Sequence, residues 1–171
     1  MATTDTLFIL TPQGSIPPSA NYATLDTVAD ASTPTTFTTV LDFDAAVDEH
    51  ADWHVTVPSH YDGGGFTISW KGGTDNTSTA ALIMEVRCKN LADGTILTSD
   101  FGIDLATAAA MSDTPPTTPI NKMNYSATAV LSHANAGSPS AGDRLVIRAT
   151  RDATDGNTGD LQLAEILILE T

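Results

Sequence analysis

"RLVIRATRDATDGNTGDLQLAEILIL", residues 144–169, decides the fold. It reads as two strands joined by a polar loop rich in Asp and Gly. In the first strand Arg148 is out of phase with Leu145 and shares the outer face with Val146. In the second, Leu161, Leu163, Leu167 and Leu169 fall on one face and Ile166 and Ile168 on the other, so the end of the strand is apolar on both sides. A sandwich strand normally buries one face, so a second apolar face asks for a cover. The loop between them, D-A-T-D-G-N-T-G-D over 152–160, is either a site or a turn. A calcium loop needs six to eight oxygens and usually a closing bidentate Glu, which this loop lacks. The turn reading needs only Gly156 and Gly159 at positive φ and Asp side chains on nearby backbone N–H groups. The turn is the expectation, with a weak calcium site as the alternative.

Working outward, the same period of two recurs. Leu41 and Phe43 alternate with Asp42 and Asp44, Trp53, Val55 and Val57 with His54 and Thr56, and Phe66, Ile68 and Trp70 with Thr67 and Ser69. Further runs cover 80–89, 101–110, 125–131, 144–150 and 161–169, separated by "PSHYDGGG", "KGGTDN", "LADGT", "SDTPPTTP" and "NAGSPSAG". About eight short strands with Gly, Pro and Asp punctuation predict an all-β, antiparallel jelly-roll sandwich over residues 34–171. Residues 1–33, proline-bearing and weakly periodic after Leu7–Leu10, are expected to form an extended arm lying on the sandwich or on a neighbouring subunit.

Composition narrows the function. The 171 residues suit one domain, and 41% hydrophobic with only 16% charged residues favours sheet over long helices. The formal net charge is −14, with nine acids and no Lys or Arg in the first 70 residues. A field of that sign disfavours nucleic acid and anionic membrane as partners. The single cysteine, Cys88, excludes an intrachain disulfide and lies in phase with Leu82, Met84 and Val86, so it reads as a small buried hydrophobe. "MATTDTLFIL" lacks a positive n-region and no apolar run approaches a membrane span, so synthesis in a cytoplasm is expected.

Several residue groups could form a site, and each has a plainer role. His50, His54 and His60 with Asp52 do not share the spacing of a metal set and read as surface or rim residues. Asp42, Asp44, Asp48, Glu49 and Asp52 read as a solvated face rather than a glycosidase pair. Trp53, Tyr61 and Trp70 could stack on a sugar, yet both tryptophans are in phase with core residues. No nucleophile elbow, phosphate loop or dinucleotide fingerprint occurs, so neither an enzyme nor a cofactor is expected. Arg148 and Arg151 should pair with acids, of this chain or of a neighbouring subunit.

The succession "VLDFDAAVDEHADWHVTVP", "YDGGGFTISW" and "GDRLVIRATRDATDGNTGDLQLAEILILET" resembles a family of small virion-associated proteins of tailed phages, those infecting aquatic bacteria and cyanobacteria among them. The resemblance covers most of residues 35–171 and departs at "KGGTDNTSTAALIMEVRCKN", where similar proteins often carry a Trp-containing strand. It implies a jelly-roll decoration or cement protein on the exterior of a phage capsid, a homotrimer that also contacts the major capsid protein, with no catalytic residue. Leu7, Phe8 and Ile9 of the arm, Arg148 and Arg151, and Ile166 and Ile168 are the expected interface residues. The alternative is a tail- or neck-associated jelly-roll module recognising a host surface glycan.

Overall fold

The computed structural model describes residues 5–96, 102–103, 106–115, 120 and 122–171. Its strands are β1 (Thr6–Leu10), β2 (Thr24–Ala29), β3 (Phe37–Phe43), β4 (His50–Thr56), β5 (Phe66–Thr74), β6 (Leu82–Leu91), β7 (Ala109–Asp113), β8 (Asn124–Tyr125), β9 (Ala129–Leu131), β10 (Arg144–Arg151) and β11 (Leu161–Glu170). They form two sheets. One has seven strands in the order β2-β3-β11-β5-β8, with β1 added on β11 and β9 on β5; the other has four, β4-β10-β6-β7. Every ladder is antiparallel. The fold is therefore the expected all-β jelly-roll sandwich. No helix among the described residues is long and apolar enough to cross a membrane.

The alternating residues meet between the sheets. Leu41, Phe43, Phe66, Ile68, Trp70, Leu161 and Leu163 from the larger sheet face Trp53, Met84, Val86, Cys88, Leu145 and Ile147 from the smaller. Burying this apolar surface at about 25 cal/mol per Å² is the main force holding the layers together. Cys88 is part of that core, and burial pushes its thiol pKa up to about 12, so it is a packing residue and a poor nucleophile. On the outer side of the smaller sheet Val146 packs with Leu91 and Ile103.

Two expectations are corrected. Residues 1–33 were read as an extended arm, but the described part is built into the sheets: β1 pairs with β11, β2 pairs with β3, and Ile16 and Tyr22 bridge to Asp52 and His50. Leu7 and Phe8 are buried in the chain's own core while Ile9 is exposed. The low periodicity of the segment reflects its two short strands separated by the turn at Pro12–Gly14. The second correction concerns the two-faced end of β11. Its register against β5 slips by one residue between Leu163 and Glu165. That bulge at Ala164 turns Ile166 and Ile168 to the same side as Leu161 and Leu163, where all four are buried. Leu167 and Leu169 are the pair that faces outward.

Asp5, the first described residue, lies beside the C-terminal residues. The amide of Glu170 donates to the carbonyl of Asp5 at 2.9 Å, and that of Thr171 to Gly65 at 3.0 Å.

Candidate functional site

The loop 152–160 is a turn folded around a buried cation. Arg151 lies on the core side of β10 and is fully buried. Its Nη1 donates to the carbonyls of Phe43 at 3.0 Å and Gly159 at 2.7 Å, and its Nη2 to that of Asn157 at 2.9 Å. Its Nε lies 3.4 Å from the buried carboxylate of Asp155. The planar guanidinium thus gathers two carbonyls of the turn and one from the end of β3. The acids of the loop act as staples. Asp155 accepts from the amides of Asn157 and Ile83, Asp152 from Thr154, and Asp48 from Ala153. Gly156 has the predicted positive φ of 79°. Gly159 is required for another reason: a Cβ there would sit 2.3 Å from Thr74 Oγ1. Among the described residues no three or more His, Cys, Asp or Glu are placed to hold a metal ion. Arg151 was expected at an interface with another subunit, and its enclosure by its own loop overturns that placement.

The other expected interface residues divide the same way. Arg148 sits directly across from Asp52 in the β10–β4 ladder and pairs with it through two contacts of 2.7 and 2.8 Å. This is the intrachain alternative of the sequence reading. Leu7, Phe8, Ile166 and Ile168 are core residues, so of the seven named positions Ile9, 56% exposed, is the one large apolar side chain on the surface. Trp53 and Trp70 are also interior, with Trp53 Nε1 donating to the carbonyl of Thr11 at 2.9 Å, so neither is a platform for a ligand.

Near the Arg151 loop, Asp42 faces outward on β3 with one carboxylate oxygen enclosed and unpaired. Burial, then the charges of Asp160, Asp75, Asp26 and Glu49, push its pKa up to about 6. Several of these acids are engaged: Asp160 accepts from Ala45, Asp75 from Asp160, and Glu49 from Asp44.

The open surface is the outer face of the seven-stranded sheet. The bulge at Ala164, next to the Leu163–Gly72 and Gln162–Gly73 pairs, leaves small residues at its centre, and the face sinks into a trough of about 100 Å³. Val28, Val40 and Met123 form its apolar walls, and Thr38 and Gln162 present a hydroxyl and an amide. Beside it stands Tyr125, 64% exposed, paired in register with Lys71. The Lys71 ammonium lies 5.6 Å from the centre of the Tyr125 ring and is held by Glu165 at 2.6 Å, which leaves one ring face open. Farther along β11 the same face carries Ile9, Val130, Leu167 and Leu169. Tyr125 was missed from the sequence because plain alternation over 125–131 puts it on the buried side with Leu131. Between them the register against β5 slips by one residue, and Ser126 Oγ replaces a ladder acceptor by taking the Trp70 amide at 2.9 Å.

No protein-family model matches the sequence, and no curated protein matches it. Solved structures do. A family 35 carbohydrate-binding module from an environmental isolate superposes with a TM-score of 0.54 at 15% identity, over 95% of this chain and 92% of the other. The family 35 carbohydrate-binding module of Clostridium thermocellum gives 0.53 at 19% identity, over 96% and 98%. The CBM22-1 xylan-binding domain of Paenibacillus barcinonensis Xyn10C gives 0.50 at 12% identity, over 99% and 97%. At such identities the likeness is one of fold. The chain has the jelly-roll sandwich architecture found in carbohydrate-binding modules.

Proposed function

We propose that this chain is a binding module without catalytic activity, and that it takes a neutral glycan across the outer face of the seven-stranded sheet. The observation that carries the reading is Tyr125, an exposed ring on the strand that pairs with Gly72, a residue of the trough lined by Thr38 and Gln162. A sugar ring offers an apolar face and a rim of hydroxyls, and this surface offers an aromatic plane beside an amide and a hydroxyl. The shared architecture with carbohydrate-binding modules supports the same reading. Titration calorimetry of the whole chain against neutral polysaccharides, xylan and β-glucans among them, tests it. Tyr125→Ala should weaken binding by about tenfold or more, roughly 1.4 kcal/mol. Absence of binding to every neutral polymer, or binding indifferent to Tyr125→Ala, would overturn it.

One observation favours a second reading, the virion decoration protein that the sequence resembles. Ile9 and Val130, both more than half exposed, lie on one face with Leu167 and Leu169, and none of the four carries charge in a chain of net −14. Such a patch suits burial against further copies of the chain, as in a trimer, or against a major capsid protein. Its test is mass in solution. A trimer that Ile9→Asp dissociates would support this reading, and a monomer at all concentrations would remove its basis.

A further inference from the structure

At the end of the sandwich opposite the Arg151 loop, segments 58–65 and 132–143 border an open cavity of about 320 Å³ lined by Tyr61, Asp62, Gly63, His133, Pro139 and Ser140. Its walls are fixed from below. The buried Glu170 carboxylate accepts from the amides of Asp62 at 2.9 Å and Gly64 at 3.4 Å. Gly64 and Gly65 lie so close to neighbouring backbone that a Cβ would come within 2.6 Å of the Thr171 carbonyl or 2.8 Å of the Leu131 carbonyl. A rigid wall spares a ligand the ordering cost that a mobile loop would impose.

The hydrogen-bond chain in the cavity has one solution. Tyr61 carries a single hydroxyl proton and contacts both the Gly64 carbonyl and His133 Nδ1, the latter at 2.9 Å. A carbonyl only accepts, so Tyr61 donates to Gly64 and His133 Nδ1–H donates to Tyr61. Burial, then the charges of Glu170 and Asp62, raise the Tyr61 pKa to about 12, so the phenol keeps this proton throughout the ordinary pH range. Neutral His133 is thereby held in the tautomer whose Nε2 accepts. The cavity then presents the exposed Asp62 carboxylate, an imidazole acceptor and the Ser140 hydroxyl.

A lining rich in acceptors selects a ligand that brings donors, and a carboxylate can take two adjacent hydroxyl protons at once. We propose that this cavity is a second binding site, for the vicinal diol of a single sugar or cyclic polyol unit, separate from the outer sheet face. Its volume falls at the lower end of the roughly 300–1,000 Å³ of small-molecule sites, which suits one ring rather than a chain.

The test is nuclear magnetic resonance of the full ¹⁵N-labelled chain titrated with methyl glycosides of glucose, galactose and mannose and with myo-inositol. Saturable shifts are expected at the amides of Asp62, Gly63 and Ser140 and at the His133 ring nitrogens. Asp62→Asn and His133→Phe should each weaken binding by about tenfold. Ser140→Ala, at an exposed position, should weaken it with the rest of the spectrum unchanged, which guards against misfolding of the His133 variant. Tyr125→Ala should leave all of these shifts intact. The site is overturned if no saturable shift appears at these residues, if the shifts survive both Asp62→Asn and Ser140→Ala, or if Tyr125→Ala abolishes them. A negative result at Tyr125 alone bears on the sheet face and not on this cavity.

Discussion

Arg151 shows how far one side chain can determine a loop. Its guanidinium binds Phe43, Asn157 and Gly159 and sits beside Asp155, so removing it takes a donor from three carbonyls and the cation from a buried carboxylate. Arg151→Met should cost about 3–5 kcal/mol in urea denaturation. Arg151→Lys should recover little of this, because one ammonium cannot span partners arranged for a planar fork. Asp42 gives the opposite signature. Its pKa of about 6 in the fold lies above the ordinary 3.8, so the native state binds its proton more tightly than the unfolded chain does. The stabilisation this gives is full below about pH 4 and is lost as pH rises through 6. Asp42→Asn should therefore be more stable than the parent at pH 7.5, with the difference shrinking toward pH 4, as read from urea midpoints across that range. The group is partly solvated, which keeps the effect modest.

At the scale of elements, the alternation of apolar side chains was enough to place β3, β5, β6, β10 and β11 and to assign the inner faces of the first four. What it could not show is the single extra residue. A bulge leaves composition unchanged and inverts every side chain beyond it. Leu41, Phe43 and Trp70 were therefore legible as core, whereas Ile166 and Ile168 were placed on the wrong side, and the outward position of Tyr125 is hidden by a one-residue slip of the same kind. The candidate binding face was hidden for the same reason, since its trough lies at the bulge of Ala164 next to Gly72 and Gly73. The Tyr61–His133 contact joins residues 72 positions apart and has no local signature. Deleting Ala164 should remove the bulge and leave Ile166 and Ile168 facing the core by plain alternation with Leu161 and Leu163, so cooperative thermal unfolding followed by circular dichroism should persist. Ile168→Asp should be severely destabilising, by more than about 4 kcal/mol, while Ile9→Asp should stay within about 0.5 kcal/mol in the isolated chain.

For the molecule as a whole, charge sets the choice of partner. Of seven Lys and Arg, at least four are engaged among the described residues: Lys71 with Glu165, Arg87 with Glu85, Arg148 with Asp52 and Arg151 with Asp155. The surface field is left to the acids. A uronate- or sulfate-bearing polymer should accordingly bind more weakly than a neutral one at low salt and gain affinity as sodium chloride is raised, while neutral polymers show little salt dependence. Calorimetry at about 20 and 300 mM salt would separate the two.

The pairing of β1 with β11 brings Asp5 and Thr171 to one rim of the sandwich, a hydrogen bond away from each other's neighbours. A polypeptide whose entrance and exit coincide can be spliced into a surface loop of a host protein without prying that host open. The described fold can equally be circularly permuted, with a short linker joining Thr171 to Asp5 and a cut in the turn at 92–95.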